Sequence, residues 1–174
     1  NQFYPGFMEK LLQDIVGFFG KIDGVDHAAV FGIPQEQGFS VMFYRKDILA
    51  TLGIDSAPET WEDFEKMCEL MIANSYQVGL ATSAAAMNIF ITILYQKGGS
   101  LYLDGGTKIS FGTDVALDAF TELCEFYTLK KLPITYDAAN RFRTGEMPLG
   151  IQPYTEYNQL AYAAPEIKNL WKMV

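Results

Sequence analysis

Gly32-Ile33-Pro34-Gln35-Glu36-Gln37-Gly38-Phe39-Ser40-Val41-Met42-Phe43-Tyr44-Arg45-Lys46-Asp47 has two halves of unlike character. The first is polar and broken by Gly32, Pro34 and Gly38, residues that interrupt any regular pattern. The second, Phe39 to Tyr44, is an apolar and aromatic run of strand length that stops at Arg45-Lys46-Asp47. A polar bend that feeds a buried strand holds amide and carboxylate side chains on a rigid support, where a ligand can meet them. The basic pairs Arg45-Lys46 and Lys130-Lys131 read as solvated element ends, too short to make a patch.

Downstream of this stretch, Ile48 to Leu52 reads as a helical turn closed by Gly53. Thr60 and Asp63 approximate a capping box, with Asp in place of the usual Glu or Gln. Trp61, Phe64, Met67, Cys68 and Met71 then recur at helical spacing, which makes Trp61 a core anchor in preference to a sugar-stacking ring. Val78 to Ala81 is a short strand. Thr82 to Asn88 is a small-residue loop that enters a helix running to Gln96, with Gly98-Gly99 as its stop. That junction either offers free backbone N–H groups to a ligand or is capped by Ser83.

Ser100 to Leu103 and Lys108 to Phe111 flank Asp104-Gly105-Gly106-Thr107 as a hairpin. The Gly-Gly lacks the spacing and the Gly-Lys-Ser/Thr of a phosphate loop. Thr113 caps the longest helix, whose apolar stripe is read as Val115, Leu117, Phe120, Leu123, Cys124 and Tyr127. Ala138 to Thr144 is a short helix closed by Gly145, and Met147 to Ile151 a buried strand. The turn Gln152 to Tyr157 follows, then a helix with Leu160 and Tyr162, then a helical stretch from Pro165 to Trp171. Upstream, Phe7, Leu11, Ile15 and Phe18 mark one helix face, and Ala28 to Phe31 a short strand.

The chain has 174 residues, enough for one ordinary core with an appendage. Its formal net charge of -8 opposes a nucleic-acid partner, because phosphate neutralisation needs clustered Lys and Arg. No apolar run approaches the roughly 20 residues of a membrane span. The chain opens at Asn1 without a Met or a signal peptide and reads as an excised fragment, so localisation must be judged otherwise. Cys68 and Cys124 stand far apart among apolar residues and read as free thiols. Two Cys and the single histidine, His27, are too few for a zinc site.

Gly-Ile-Pro, the polar stretch, the apolar run into Phe43-Tyr44-Arg45-Lys46-Asp47-Ile48-Leu49, the Leu-Gly-Ile and Pro58-Glu59-Thr60-Trp61-Glu62-Asp63-Phe64 together resemble the extracellular solute-binding proteins of bacterial ABC importers. The nearest branch is family 1, the maltose-binding-like group. Phe142-Arg143-Thr144-Gly145-Glu146, an apolar strand and a Pro-aromatic turn are similar to a second signature of that family. The resemblance implies an α/β, type II periplasmic-binding-protein-like lobe with a central mixed sheet flanked by helices. Residues 1–34 would be a remnant of the first lobe and hinge entry, and residues 35–174 an incomplete second lobe. It further implies a solute-binding component that hands a sugar or oligosaccharide to an ABC permease. Such a protein lies outside the cytoplasmic membrane, free in the periplasm or lipid-anchored as a lipoprotein.

A sugar site needs aromatic faces for the apolar faces of the ring and amides or carboxylates for its hydroxyls. Gln35, Glu36, Gln37, Asn88, Gln152, Tyr154, Thr155 and Tyr157 are of these types at strand ends and turns. Glu36 and Tyr154 carry the expectation most strongly. By its place in the motif Tyr154 stands where many family members have Trp. No catalytic residue, metal ligand or cofactor is expected, since the Gly-x-Ser-x-Gly, His-Glu-x-x-His and Gly-x-Gly-x-x-Gly patterns are missing. Two rival readings are a carbohydrate-active enzyme fragment, given the many carboxylates, and a non-catalytic structural or interaction domain.

Overall fold

A computed structural model describes residues 38–82 and 85–174. The helix and strand expected upstream of Gly32, the site candidates Gln35, Glu36 and Gln37, and Ser83 lie outside the described residues. Gly38 apart, the described residues belong to one compact unit, Phe39–Val174.

The apolar run forms β1 (Ser40–Arg45), at the heart of a four-stranded mixed sheet. The other strands are β2 (Val78–Gly79), β5 (Leu149–Pro153) and β6 (Trp171–Met173), in the order β2-β5-β1-β6. β1 pairs antiparallel with β5, Ser40 opposite Pro153 and Tyr44 opposite Leu149, and antiparallel with β6, Arg45 opposite Trp171. β2 pairs parallel with β5. The small hairpin of β3 (Tyr102–Leu103) and β4 (Lys108–Ile109) stands apart as a second sheet, turned by a 3-10 helix over Asp104–Gly106.

A continuous apolar run is what a strand needs when both of its faces are covered. In β1, Met42 and Tyr44 pack into one core and Val41 and Phe43 into another, as the two-residue alternation of a strand requires. The larger core holds Phe64, Cys68 and Met71 of α2 (Trp61–Ala73), Ile89, Phe90, Ile93 and Leu94 of α3 (Ala86–Gln96) and Leu123 and Phe126 of α4 (Asp114–Thr128). The smaller core joins Phe43 to Phe142 of α5 (Ala138–Thr144) and Leu160 of α6 (Glu156–Ala163). The architecture is therefore α/β, a mixed sheet between two helical layers. A short helix, α1 (Lys46–Thr51), leaves β1 directly.

The helix starts follow their caps. Thr60 accepts from the Asp63 N–H at 3.1 Å and donates to the Asp63 carboxylate at 2.8 Å, while Thr113 accepts from Ala116 N–H and Asp137 from Asn140 N–H. α5 ends at Gly145, whose φ of 81° is the left-handed cap conformation that suits glycine. Trp61 packs edge-on to Phe64 and against Phe126, the anchoring role expected of it.

Three sequence expectations fail. Arg45 is buried, not a solvated strand end. Its guanidinium grips both Asp47 carboxylate oxygens at 2.9 and 2.7 Å and donates to the Phe142 and Arg143 carbonyls at 3.1 and 3.2 Å. It thereby satisfies the Arg143 carbonyl at the end of α5 and adds a second donor to the Phe142 carbonyl, which also accepts from the Gly145 N–H. The buried face of α4 is Ala116, Ala119, Leu123 and Phe126, while Leu117 and Phe120 are exposed. Small alanines face the core, so weighing only the large side chains rotates the stripe off its true face. Trp171 opens β6 and does not end a helix; the helix after Pro165 is one 3-10 turn, Pro165–Ile167.

Candidate functional site

The paired ends of β1 and β5 bring Phe39 beside Tyr154. The Tyr154 N–H donates to the Phe39 carbonyl at 2.9 Å, and the two rings stack with centroids 5.0 Å apart and planes 24° from parallel. Pro153 has no N–H and ends the strand, and the chain turns at once. Tyr157 N–H donates to the Tyr154 carbonyl at 3.0 Å, which sets the two tyrosine rings 5.9 Å apart and 2° from parallel. Tyr157 meets Trp171 edge-on at 5.9 Å, and Trp171 leans on Phe43 of the smaller core. An aromatic ladder thus runs from the core to the surface, with Tyr154 and Tyr157 each 38% exposed and Phe39 54% exposed.

Polar groups lie next to it in sequence. Gln152 is buried, and its amide donates to the Tyr136 hydroxyl at 2.7 Å. This pair needs the glycine in β2: a Cβ on Gly79 would lie 2.7 Å from Met147 Sδ, 2.9 Å from Gln152 Nε2 and 3.0 Å from the Tyr136 hydroxyl. Burial pushes the Tyr136 phenol up to about 12, which keeps it protonated and able to donate. Glu156, in the first turn of α6, has one carboxylate oxygen out of solvent and without a hydrogen-bond partner. Its pKa is raised by burial and, second, by the neighbouring negative charge of Asp137. Gln152 and Glu156 line a cavity of about 10 Å³ with Phe43, Phe142 and Leu160, the space of a single water.

Of the expected site residues, Gln152, Tyr154, Thr155 and Tyr157 gather at the β5–α6 junction, where Thr155 is the N-cap residue of α6 and makes no side-chain cap. Asn88 is exposed on the first turn of α3, and no hydrogen bond or ring contact among the described residues joins it to the others. Phe39, Tyr136 and Glu156 were not expected. Phe39 carries a readable signal, as the first aromatic of the run next to the polar bend. Tyr136 and Glu156 carry none, because only the pairing of β2 with β5 and the turn into α6 give them their neighbours.

Aromatic rings that reach the surface suit a solute with apolar C–H faces, such as a sugar ring; Gln152 is held against Tyr136 and, with Glu156, faces a space for one water beneath them. A larger cleft of about 500 Å³ lies between α3 and α4, lined by Met87, Phe90, Phe111, Leu117, Phe120 and small apolar neighbours. It offers no polar side chain to orient such a solute. Among the described residues no group of three or more His, Cys, Asp or Glu could hold a metal ion, and Cys68 and Cys124 are free. Burial pushes the Cys68 thiol up to about 12, so it is inert as a nucleophile.

Residues 1–172 match the family model described as bacterial extracellular solute-binding protein. No curated protein sequence matches the chain. Among solved structures, maltose-bound MalE3 of T. maritima is similar at a TM-score of 0.73 and 21% identity, over 99% of this chain and 44% of that one. An ABC transporter solute-binding protein of Thermotoga lettingae bound with alpha-D-tagatose gives 0.70 and 18%, over 96% and 47%. An ABC substrate-binding protein of Listeria monocytogenes in complex with cycloalternan gives 0.70 and 20%, over 99% and 44%. The chain spans less than half the length of these three structures.

Proposed function

Because the chain belongs to the family of bacterial extracellular solute-binding proteins, we propose that it is part of the solute-binding component of an ABC importer that captures a sugar or oligosaccharide. Its fold is that of the type II periplasmic-binding proteins. The observation that carries the solute class is the exposed aromatic ladder Phe39-Tyr154-Tyr157 beside Gln152 and Glu156. Three similar structures were solved with maltose, tagatose and cycloalternan, which favours the same class here.

In this reading residues 35–174 are most of the second lobe, and residues 1–34 the end of the first lobe with the hinge entry. The solute is held between lobes by hinge closure and passed to a membrane permease, outside the cytoplasmic membrane. Function is binding, with no covalent step. Gln35, Glu36, Gln37 and Asn88 remain proposed contacts together with Gln152, Tyr154, Thr155 and Tyr157.

The test is a thermal-shift panel on the full-length protein with mono- and oligosaccharides, amino acids and short peptides. A ligand that binds the folded state at a hundredfold excess over its Kd stabilises it by about 2.7 kcal/mol, a shift of several degrees. A shift with a saccharide, reduced in Tyr154→Ala, is expected. Shifts with peptides or amino acids alone would keep the importer and discard the sugar.

A further inference from the structure

We propose that the ring of Phe39, and not that of Tyr154, presents the face on which a pyranose ring of the solute stacks. This rests on the saccharide reading above. The argument is one of free faces. Tyr154 has a stacked neighbour in Phe39, at 5.0 Å, and a second in Tyr157, at 5.9 Å and almost parallel. Two near-parallel rings therefore already pack against Tyr154. At the far end, Tyr157 has a further ring neighbour in Trp171, 5.9 Å away and 67° from parallel. Phe39 has Tyr154 as its one aromatic neighbour among the described residues, and it is the most exposed ring of the ladder at 54%.

Two further features make Phe39 a platform and not a stray apolar side chain. Its carbonyl is held by the Tyr154 N–H, and its ring is already stacked, so little freedom is lost when a ligand arrives. It has no hydroxyl, so it selects for a ring with a contiguous C–H face and leaves hydrogen bonding to other groups. Tyr154 then acts as a positioning residue that holds Phe39 from behind.

The experiment uses the full-length protein and whichever of maltotriose, triacetylchitotriose and D-tagatose binds it most tightly by calorimetry. Phe39→Leu keeps the apolar bulk but removes the aromatic face and should bind about tenfold more weakly. Phe39→Trp should bind at least as tightly as the unsubstituted protein. The emission of its added indole should change on saturation, beyond any change from Trp61 and Trp171 in the unsubstituted protein, a response that a purely structural role would not produce. Melting temperatures of the free variants confirm that they fold. If Phe39→Leu binds within twofold of the unsubstituted protein, or the Phe39→Trp emission ignores the saccharide, the assignment to Phe39 is overturned while the saccharide reading stands. If none of the three saccharides binds the unsubstituted protein, both are overturned.

Discussion

Arg45 is the residue on which the join between β1 and α5 depends. It is a buried cation with four hydrogen bonds, two to Asp47 and two to carbonyls at the end of α5. Arg45→Met would strip those carbonyls and leave Asp47 unpaired, and should cost about 3 kcal/mol by urea unfolding. Lys66→Met, which breaks an exposed pair with Glu62, should cost at most about 0.5 kcal/mol. The hydrogen bond from Arg45 holds the Asp47 carboxyl below its ordinary 3.8. A depressed carboxylate contributes stability above its unfolded pKa and loses it as pH falls through the folded one, so this contribution fades below pH 3.8. Glu156 has the opposite sign. Its raised pKa means the folded state binds the proton more tightly, so ionisation above the ordinary 4.5 costs stability. Glu156→Gln should raise the melting temperature at pH 7 and leave it nearly unchanged at pH 4. An equal shift at both pH values would show that the effect is not ionisation.

At the scale of elements, β2 and β5 approach so closely that Gly79 and Gly150 face each other, a Cβ on Gly150 falling 3.0 Å from the Gly79 carbonyl oxygen. Gly79→Ala forces Gln152 and Tyr136 apart and should cost about 1–3 kcal/mol. It should also weaken saccharide binding by the full-length protein, read by calorimetry. Most elements were legible in the sequence for local reasons. Thr60, Thr113 and Gly145 announce helix ends through chemistry confined to one turn. The run Phe39 to Tyr44 announces a strand covered on both faces. What was not legible depends on partners distant in sequence. Arg45 reads as solvated until the carbonyls of Phe142 and Arg143 are beside it, and Trp171 reads as helical until β1 offers an edge. The orientation of α4 depends on α3 packing against its alanines. The site divides the same way: Tyr154 and Tyr157 are readable as a turn after a strand, whereas the order of the rings, with Phe39 outermost, follows from strand pairing.

For the whole molecule, the proposed mechanism makes the ladder one wall of the site and the opposing lobe the other. The 174-residue chain alone should therefore bind a saccharide at least about a hundredfold more weakly than the full-length protein, since half of the contacts and the exclusion of water by closure are lost. Affinity of the chain alone within about tenfold of the full-length protein's would argue against closure as the source of binding. The most direct measurement is a calorimetric titration of the full-length protein with the saccharide that gives the largest thermal shift. The account predicts one saturable site, weakened at least about tenfold in Tyr154→Ala through loss of the stacked pair. A folded protein that gives no saturable heat with any saccharide, or one whose affinity ignores Tyr154→Ala, would contradict it.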